Sequence, residues 1–339
     1  MDPNKADLDL SLVIPCFNEE EVISKLGEVL KQTLSSRFGT SWEVIFVDDG
    51  STDATWPLIQ ALQQSNPRFK GLRLSRNFGH QKALTAGLAY PRGRFVGIID
   101  ADLQDPPEEL IKCYELAKAQ GHDVVYGVRK RLQVNFILQF CYKIFYRLMA
   151  SLSDQRWPLD AGDFCVMSRR AVSLLNSLPE RARILRGLRS WIGLKQGFHE
   201  YARPVRRLGK SKYNILKLTG LATDSLVSFS SAPLRLASII GLTTSLLTAL
   251  LGFILLINRL FPYFTLFNFW IGLSPGVTTI VLIVLFANSL TFFCLGILGE
   301  YLAVILREVK QRPEAIIFDK TGSLEKIAAN PTVRELGEE

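Results

Sequence analysis

Short apolar runs punctuate the first half of the chain, and most stop at acids, glycine or proline. Leu10–Pro15 (LSLVIP), Trp42–Val47 (WEVIFV), Phe69–Leu74, Phe95–Ile99 and Asp123–Tyr126 (DVVY) have the length and β-branched or aromatic content of buried strands. The mixed stretches between them have helical character. One helix is predicted over roughly Glu20–Leu34, opening with acids as its dipole prefers. A second runs to about Gln64 behind a Ser51 or Thr52 cap, a third covers Ala83–Ala89, and a fourth starts near Pro107. Strand and helix alternate with short connections, which predicts an α/β fold built on a doubly wound parallel sheet. No GxGxxG follows the first strand, so the dinucleotide-binding version is disfavoured.

The pattern changes further on. Val134–Met149 (VNFILQFCYKIFYRLM) places apolar residues at helical spacing with Lys143 and Arg147 between them. It suits a core helix or, over about 132–152, a helix lying on a bilayer. Asn214–Ser230 is a second surface candidate. Pro233–Asn258 carries one charge, Arg235, and Val277–Leu306 stays free of charge until Glu300. Each is long enough to span a bilayer. Basic residues flank the pair (Lys210, Lys212, Lys217, Arg235; Arg307, Lys310, Arg312), whereas the Arg259–Gly276 loop has one and is rich in aromatics. That bias predicts a hairpin with both ends cytoplasmic. The expected division is a catalytic domain over 1–212, an interfacial helix over 213–232, two spans within 233–306 and a tail over 307–339. From Asp319 the tail reads as polar and partly disordered.

Composition sharpens this picture in two ways. The 339 residues are 48% hydrophobic, a figure that averages a soluble-like first part and an apolar segment near the end. The net charge of +8 is concentrated between Arg129 and Lys217, beside that segment. Basic residues there suit an anionic membrane surface or anionic substrates, and no nucleic-acid-binding signature accompanies them. The five cysteines form no CxxC pair, which argues for reduced thiols rather than disulfides or zinc. No signal-peptide core opens the chain, so the first domain is expected to stay on the synthesis side of a cytoplasmic membrane.

The candidate chemistry sits where strands end, the place where open α/β sheets bind ligands. Asp100 and Asp102, with the Gln104 amide oxygen, could offer oxygen ligands to a hard divalent cation, or simply cap the helix behind Pro106 and Pro107. Asp48 and Asp49 could accept from a base or ribose; Asp53 reads as a helix cap. Asp163, between Gly162 and a short apolar strand, is either a catalytic carboxylate or a turn residue. Arg206, Arg207, Lys210, Ser211 and Lys212 form a loop that suits phosphate, whether of a substrate or of lipid headgroups. Together these features imply transfer of a group from a nucleotide to a lipid phosphate, with a cation bridging the diphosphate.

The motifs also resemble a known family. IPCFNEEE at Ile14–Glu21, VDDGSTD at Val47–Asp53, SRNFGHQKAL at Ser75–Leu84, DADLQDPPE at Asp100–Glu108, GDF at Gly162–Phe164, RGL at Arg186–Leu188, RRLGKSKY from Arg206 and GEYLAVILREVKQRP at Gly299–Pro313 resemble the polyprenyl-phosphate glycosyltransferases of glycosyltransferase family 2. The resemblance implies a GT-A fold, Rossmann-like with a mostly parallel sheet, followed by juxtamembrane amphipathic helices and two transmembrane helices. It implies inverting transfer, with Mg2+ or Mn2+ at Asp102 and Gln104. It surrounds the nucleotide-sugar with Pro15, Phe17, Asn18, Glu19, Asp48, Asp49, Asn77, Lys82, Asp100, Ala101 and Asp102. Asp163 becomes the catalytic carboxylate, and Arg129, Arg206, Arg207, Ser211 and Lys212 contact the acceptor phosphate. Two positions depart from the pattern: Cys165 stands where many relatives carry arginine, and His80-Gln81-Lys82 where they often have a lysine and an acid.

On this view the donor is UDP-glucose, with GDP-mannose or a UDP-amino sugar as alternatives, and the acceptor undecaprenyl phosphate. Self-association, as a tetramer for instance, is expected because thin spans leave surface to bury. A phosphate monoester is already mostly dianionic at neutral pH, with a second pKa near ~6, so Asp163 has little to do as a base. It would orient substrates or stabilise positive charge at the anomeric carbon. Asp102→Asn is expected to cost far more activity than Asp105→Asn. A processive polysaccharide synthase is disfavoured because Gln155, Arg156 and Trp157 are contiguous, not spaced as QxxRW. A non-catalytic scaffold is disfavoured by the intact acids.

Overall fold

The structure is a computed structural model. It describes residues 8–129, 161–180, 183–202, parts of 237–253, 276–326 and 330–336. The chain divides into two compact units, one comprising Met1–Ala150, Gln155–Ile215 and Lys310–Glu339, the other Ser151–Asp154 and Leu216–Val309.

The first unit is built on a sheet of nine strands: β1 Leu10–Cys16, β2 Trp42–Asp48, β3 Phe69–Leu74, β4 Phe95–Ile98, β5 Val124–Arg129, β6 Ala161–Ser168, β7 Gln196–Tyr201, β8 Ala315–Thr321 and β9 Val333–Glu335. Their order is β7-β5-β6-β4-β1-β2-β3-β8-β9. The five predicted strands all form, and β1 pairs in parallel with both β2 and β4. Every residue of β1 and β2 is buried. That is why these segments read as unbroken apolar runs rather than alternating ones: both faces of the sheet are covered. Helices α1 Ile23–Phe38, α2 Thr55–Ser65 and α4 Pro107–Gln120 cover one face. There Leu10, Leu12 and Ile14 join Leu26, Leu30 and Leu110 in one cluster. Helix α3, His80–Gly87, covers the other. Its last residue comes so close that a Cβ on Gly87 would lie 2.4 Å from Val13 and 2.7 Å from Val47, so glycine is what lets this helix sit flush on the sheet. Pro107 opens α4, and Gly121 closes it in the left-handed conformation.

The sheet is mostly parallel, as the resemblance implies. Two features go beyond the reading of the sequence. β6 runs antiparallel between β4 and β5. Asp163 therefore lies inside a strand rather than in a turn before one. The described residues after Asp319 are also ordered. β8 pairs antiparallel with β3, and β9 pairs with β8. Ala315, Ile317, Leu324 and Val333 are buried, and Glu335 accepts a hydrogen bond from Tyr90. Polar composition hid this, because what orders the segment is the edge of β3, far back in the sequence. Behind β6 and before β7 lie α5, Arg169–Ser177, and α6, Leu185–Trp191.

The second unit is described mainly by α7, Gly276–Lys310. Within it Phe286–Lys310, of mean hydropathy 1.9, is the one helix among the described residues long and apolar enough to cross a membrane, by length and composition only. Helical residues from Ala237 adjoin it, the Ala237 carbonyl lying 3.8 Å from Cys294 Sγ. The expected first span and the two interfacial helices lie largely outside the described residues.

Candidate active site

The loops that follow β1, β2, β3 and β4 meet along one edge of the sheet, and each holds its neighbour. After β1, Asn18 adopts φ 52°. Its amide donates to Ser51 Oγ at 2.9 Å, and its Oδ1 accepts from the Thr52 amide at 2.9 Å. The Glu19 amide donates to Thr55 Oγ1 at 2.8 Å. Pro15 is buried in β1, with Phe17 half-buried behind it. So Asn18 and Glu19 lace the first loop to the second.

The paired acids after β2 do different things. Asp48 is fully buried, its Oδ1 accepting from the Ser51 amide at 3.0 Å and its Oδ2 3.4 Å from Arg73 Nε. Its carboxylate is turned into the protein, toward Ser51 and Arg73. Asp49 accepts from the amides of Phe78 (2.7 Å) and Gly79 (2.8 Å), so it clamps the β3–α3 loop. Burial raises the pKa of both acids, and these hydrogen bonds oppose the rise. Gly50 makes the clamp possible. It has φ 67°, and a Cβ there would stand 2.4 Å from the Arg76 carbonyl carbon. Asn77 is exposed on this loop, and the half-buried Lys82 sits in the first turn of α3.

After β4, Ala101 is buried while Asp100, Asp102 and Gln104 are half-buried. Leu103 takes φ 55°, which folds the loop so that Asp102 Oδ1 accepts from the Gln104 amide at 3.1 Å. Asp100 Oδ1 is closed off from solvent with no hydrogen-bond partner. Burial raises the pKa of Asp100, with the negative charge of Asp163 adding to the rise and His80 opposing it. Asp105 has a structural role in this loop. It is fully buried, binds Arg129 Nη2 at 3.0 Å and accepts from Tyr201. Arg129, expected on the acceptor phosphate, is thus already paired.

Asp163 is the centre of the site. Its carboxylate is almost wholly buried and accepts four hydrogen bonds: from Gln81 Nε2 (2.9 Å), Arg186 Nε (3.2 Å), Arg186 Nη2 (3.1 Å) and Arg189 Nη2 (3.4 Å). His80 Nε2 lies 3.3 Å from Oδ2 and 3.7 Å from Asp100 Oδ1, bridging the two acids. Burial alone would raise the Asp163 pKa, but the His80 hydrogen bond and the two guanidiniums hold it far below the ordinary carboxylate range. For His80 burial lowers the pKa, and the contact with Asp163 more than reverses this. Arg189 is itself fully buried, donating to the Gly162 and Asp163 carbonyls and to Cys165 Sγ. Gln81 ties α3 to α6 by accepting from the Leu185 amide at 3.2 Å.

The structure therefore gathers Asn18, Glu19, Asp49, Asp100, Asp102, Gln104 and Asp163 at one sheet edge. Arg206, Arg207, Ser211 and Lys212 lie outside the described residues. Sequence reasoning assigned no role to His80, Gln81, Arg186 or Arg189. The available signal was two arginines at i and i+3 on a short helix, which places both on one face.

A mostly parallel sheet with acidic loops beyond its strand ends is the arrangement in which open α/β proteins receive their ligands. The profile of glycosyl transferase family 2 matches residues 11–174. The chain is 37% identical over 316 residues to the uncharacterized glycosyltransferase YkcC of Bacillus subtilis, covering 93% of this chain and 95% of that protein. It is 36% identical over 313 residues to a prophage-derived bactoprenol glucosyl transferase of Shigella flexneri, covering 91% and 97%. The chain belongs to glycosyl transferase family 2. Among solved structures, glucosyl-3-phosphoglycerate synthase of Mycobacterium tuberculosis, crystallised with Mn2+, UDP and glucosyl-3-phosphoglycerate, is similar with a TM-score of 0.46. It is 20% identical, over 66% of this chain and 80% of that one.

Proposed function

We propose that this glycosyltransferase moves a sugar, in our assignment glucose from UDP-glucose, onto undecaprenyl phosphate at the cytoplasmic face of the membrane, with inversion. The observation that carries this reading is the extent of one relationship. The family profile ends at residue 174, yet identity to the bactoprenol glucosyl transferase of Shigella flexneri runs over 91% of the chain. The apolar helix α7 and the basic loop at 206–212 fall within the part the profile leaves out, and both suit a lipid phosphate.

The residues at the β4 edge fit a divalent cation. The donor set is hard oxygen, and Asp100 presents a buried carboxylate oxygen that accepts no hydrogen bond among the described residues, with only the His80 ring 3.7 Å away. Among the described residues no three His, Cys, Asp or Glu side chains gather as a cage. Such a cation would be held by Asp102 and Gln104 and completed by the donor's phosphates and water, the usual arrangement for Mg2+. Bound there, it would supply Lewis-acid stabilisation of the departing nucleoside diphosphate. Asn18, Glu19 and Asp49 shape the loop edge that receives the nucleotide.

The test is transfer of radiolabel from a panel of nucleotide-sugars to undecaprenyl phosphate, with and without chelator. A lipid-linked product from UDP-glucose that disappears with chelator is expected. A product from another donor corrects the sugar, and no lipid product from any donor overturns the reading.

A further inference from the structure

Arg186 pairs with Asp163 through part of its side chain and keeps the rest available to a ligand. Its guanidinium is a planar fork with five N–H donors. One edge, Nε and Nη2, is fixed on Asp163. Among the described residues nothing accepts from Nη1, and the side chain is 44% exposed. Arg189, by contrast, is sealed inside, its Nη1 and Nη2 donating to backbone carbonyls and to Cys165. The carboxylate between them is saturated. It has about four lone-pair positions, and four N–H bonds with His80 alongside already occupy its surroundings. No position remains from which it could take a proton from an incoming nucleophile. What it can do is hold one edge of Arg186 still and leave the other facing outward.

We propose that Arg186 binds the phosphate of the acceptor lipid directly, and that Asp163 is its positioning residue rather than a base. This deepens the function proposed above and rests on it. A guanidinium edge is matched to phosphate oxygens, and arginine favours such paired recognition. The reaction balances without a base. An anionic phosphate oxygen attacks the anomeric carbon, the carbon–oxygen bond to the nucleoside diphosphate breaks, and the electron pair leaves with the diphosphate. No proton is transferred. Since the donor also carries phosphates, the same edge could in principle meet the diphosphate, and the experiment separates the two.

The full-length protein in detergent is assayed with the nucleotide-sugar that the wild type turns over and with undecaprenyl phosphate. Donor affinity is measured separately by calorimetry. For Arg186→Gln the acceptor KM is expected to rise at least ~10-fold while the donor dissociation constant stays within about twofold. Arg186→Lys, which keeps the charge without the fork, should fall between wild type and Gln. It also serves as the test if the Gln variant does not fold. Asp163→Asn should reproduce the acceptor defect, and adding it to Arg186→Gln should cost little more, because both act through one contact. Its log(kcat/KM)–pH profile should keep the wild-type acid limb near the phosphate's second pKa of ~6. An unchanged acceptor KM in both Arg186 variants, a loss of donor affinity instead, or an acid limb that vanishes in Asp163→Asn would each overturn the proposal. A wild-type protein that makes no lipid-linked sugar refutes the function itself, a separate outcome.

Discussion

Asp163→Asn should unsettle the protein as well as its chemistry, and the size of the effect can be worked from the contacts. Among the described residues the carboxylate is the one acid paired with Arg189, which is fully buried, and it also pairs with the half-exposed Arg186. Breaking a buried ion pair from one side costs about 3–5 kcal/mol, because the charge left behind is uncompensated. Three considerations favour the low end. Arg189 keeps its carbonyl and sulfur partners. Arg186 is open enough for water to screen it, and asparagine retains one acceptor oxygen. A loss of about 3 kcal/mol lowers Tm by roughly 6–12 °C for a unit of this size. Thermal melting of the purified protein reads this directly. The pH dependence follows from the direction of the shift. A carboxylate whose folded pKa is depressed stabilises above its unfolded value, near ~3.9, and loses that contribution as pH falls toward the folded one. The deficit of the variant should therefore persist through neutral and alkaline pH and shrink only in strong acid. A Tm within ~2 °C of wild type at pH 7.5 would refute the view that this carboxylate balances the two arginines.

Gly50→Ala should lose activity and roughly 1–3 kcal/mol of stability by melting, since the left-handed backbone and the 2.4 Å approach to Arg76 leave a methyl no room; near-wild-type turnover would contradict that. Asp105→Asn should destabilise by about 3 kcal/mol in chemical denaturation, because it strips Arg129 and Tyr201 of a buried partner; Asp102→Asn should instead abolish turnover while leaving stability nearly unchanged. His80→Gln should reduce Tm more at pH 6 than at pH 8.5. The folded His80 pKa is raised, so its stabilisation is complete below its unfolded value near ~6.5 and fades as pH rises through the folded one. An equal deficit at both pH values would show that the ring acts uncharged.

Much of the framework was legible because it is local. A run such as WEVIFV announces a strand buried on both faces, and acids at its end announce a loop edge where ligands bind. The prolines at 106 and 107 and the glycine at 121 mark the two ends of α4 correctly. What was illegible depends on pairing across the sequence. Asp48 and Asp49 look alike in the chain, yet one faces Ser51 and Arg73 while the other clamps two amides of the next loop. The partners of Asp105, Arg129 and Tyr201, come from distant strands, the latter 96 residues on. The tail looked loose because the strand it completes is β3.

By itself, then, the sequence determined the α/β class, the strand segments, the acidic loops beyond them and the apolar segment whose length suits a membrane. These follow from hydrophobic period and from turn residues, which act over a few positions. Only the tertiary structure decided that β6 threads antiparallel between β4 and β5. That one pairing brings Asp163 against His80 and Gln81 of α3, 82 residues from Gln81, and under the arginines of α6. A carboxylate's role is set by the charges and donors around it. Those neighbours are assembled by long-range packing, which no local pattern encodes.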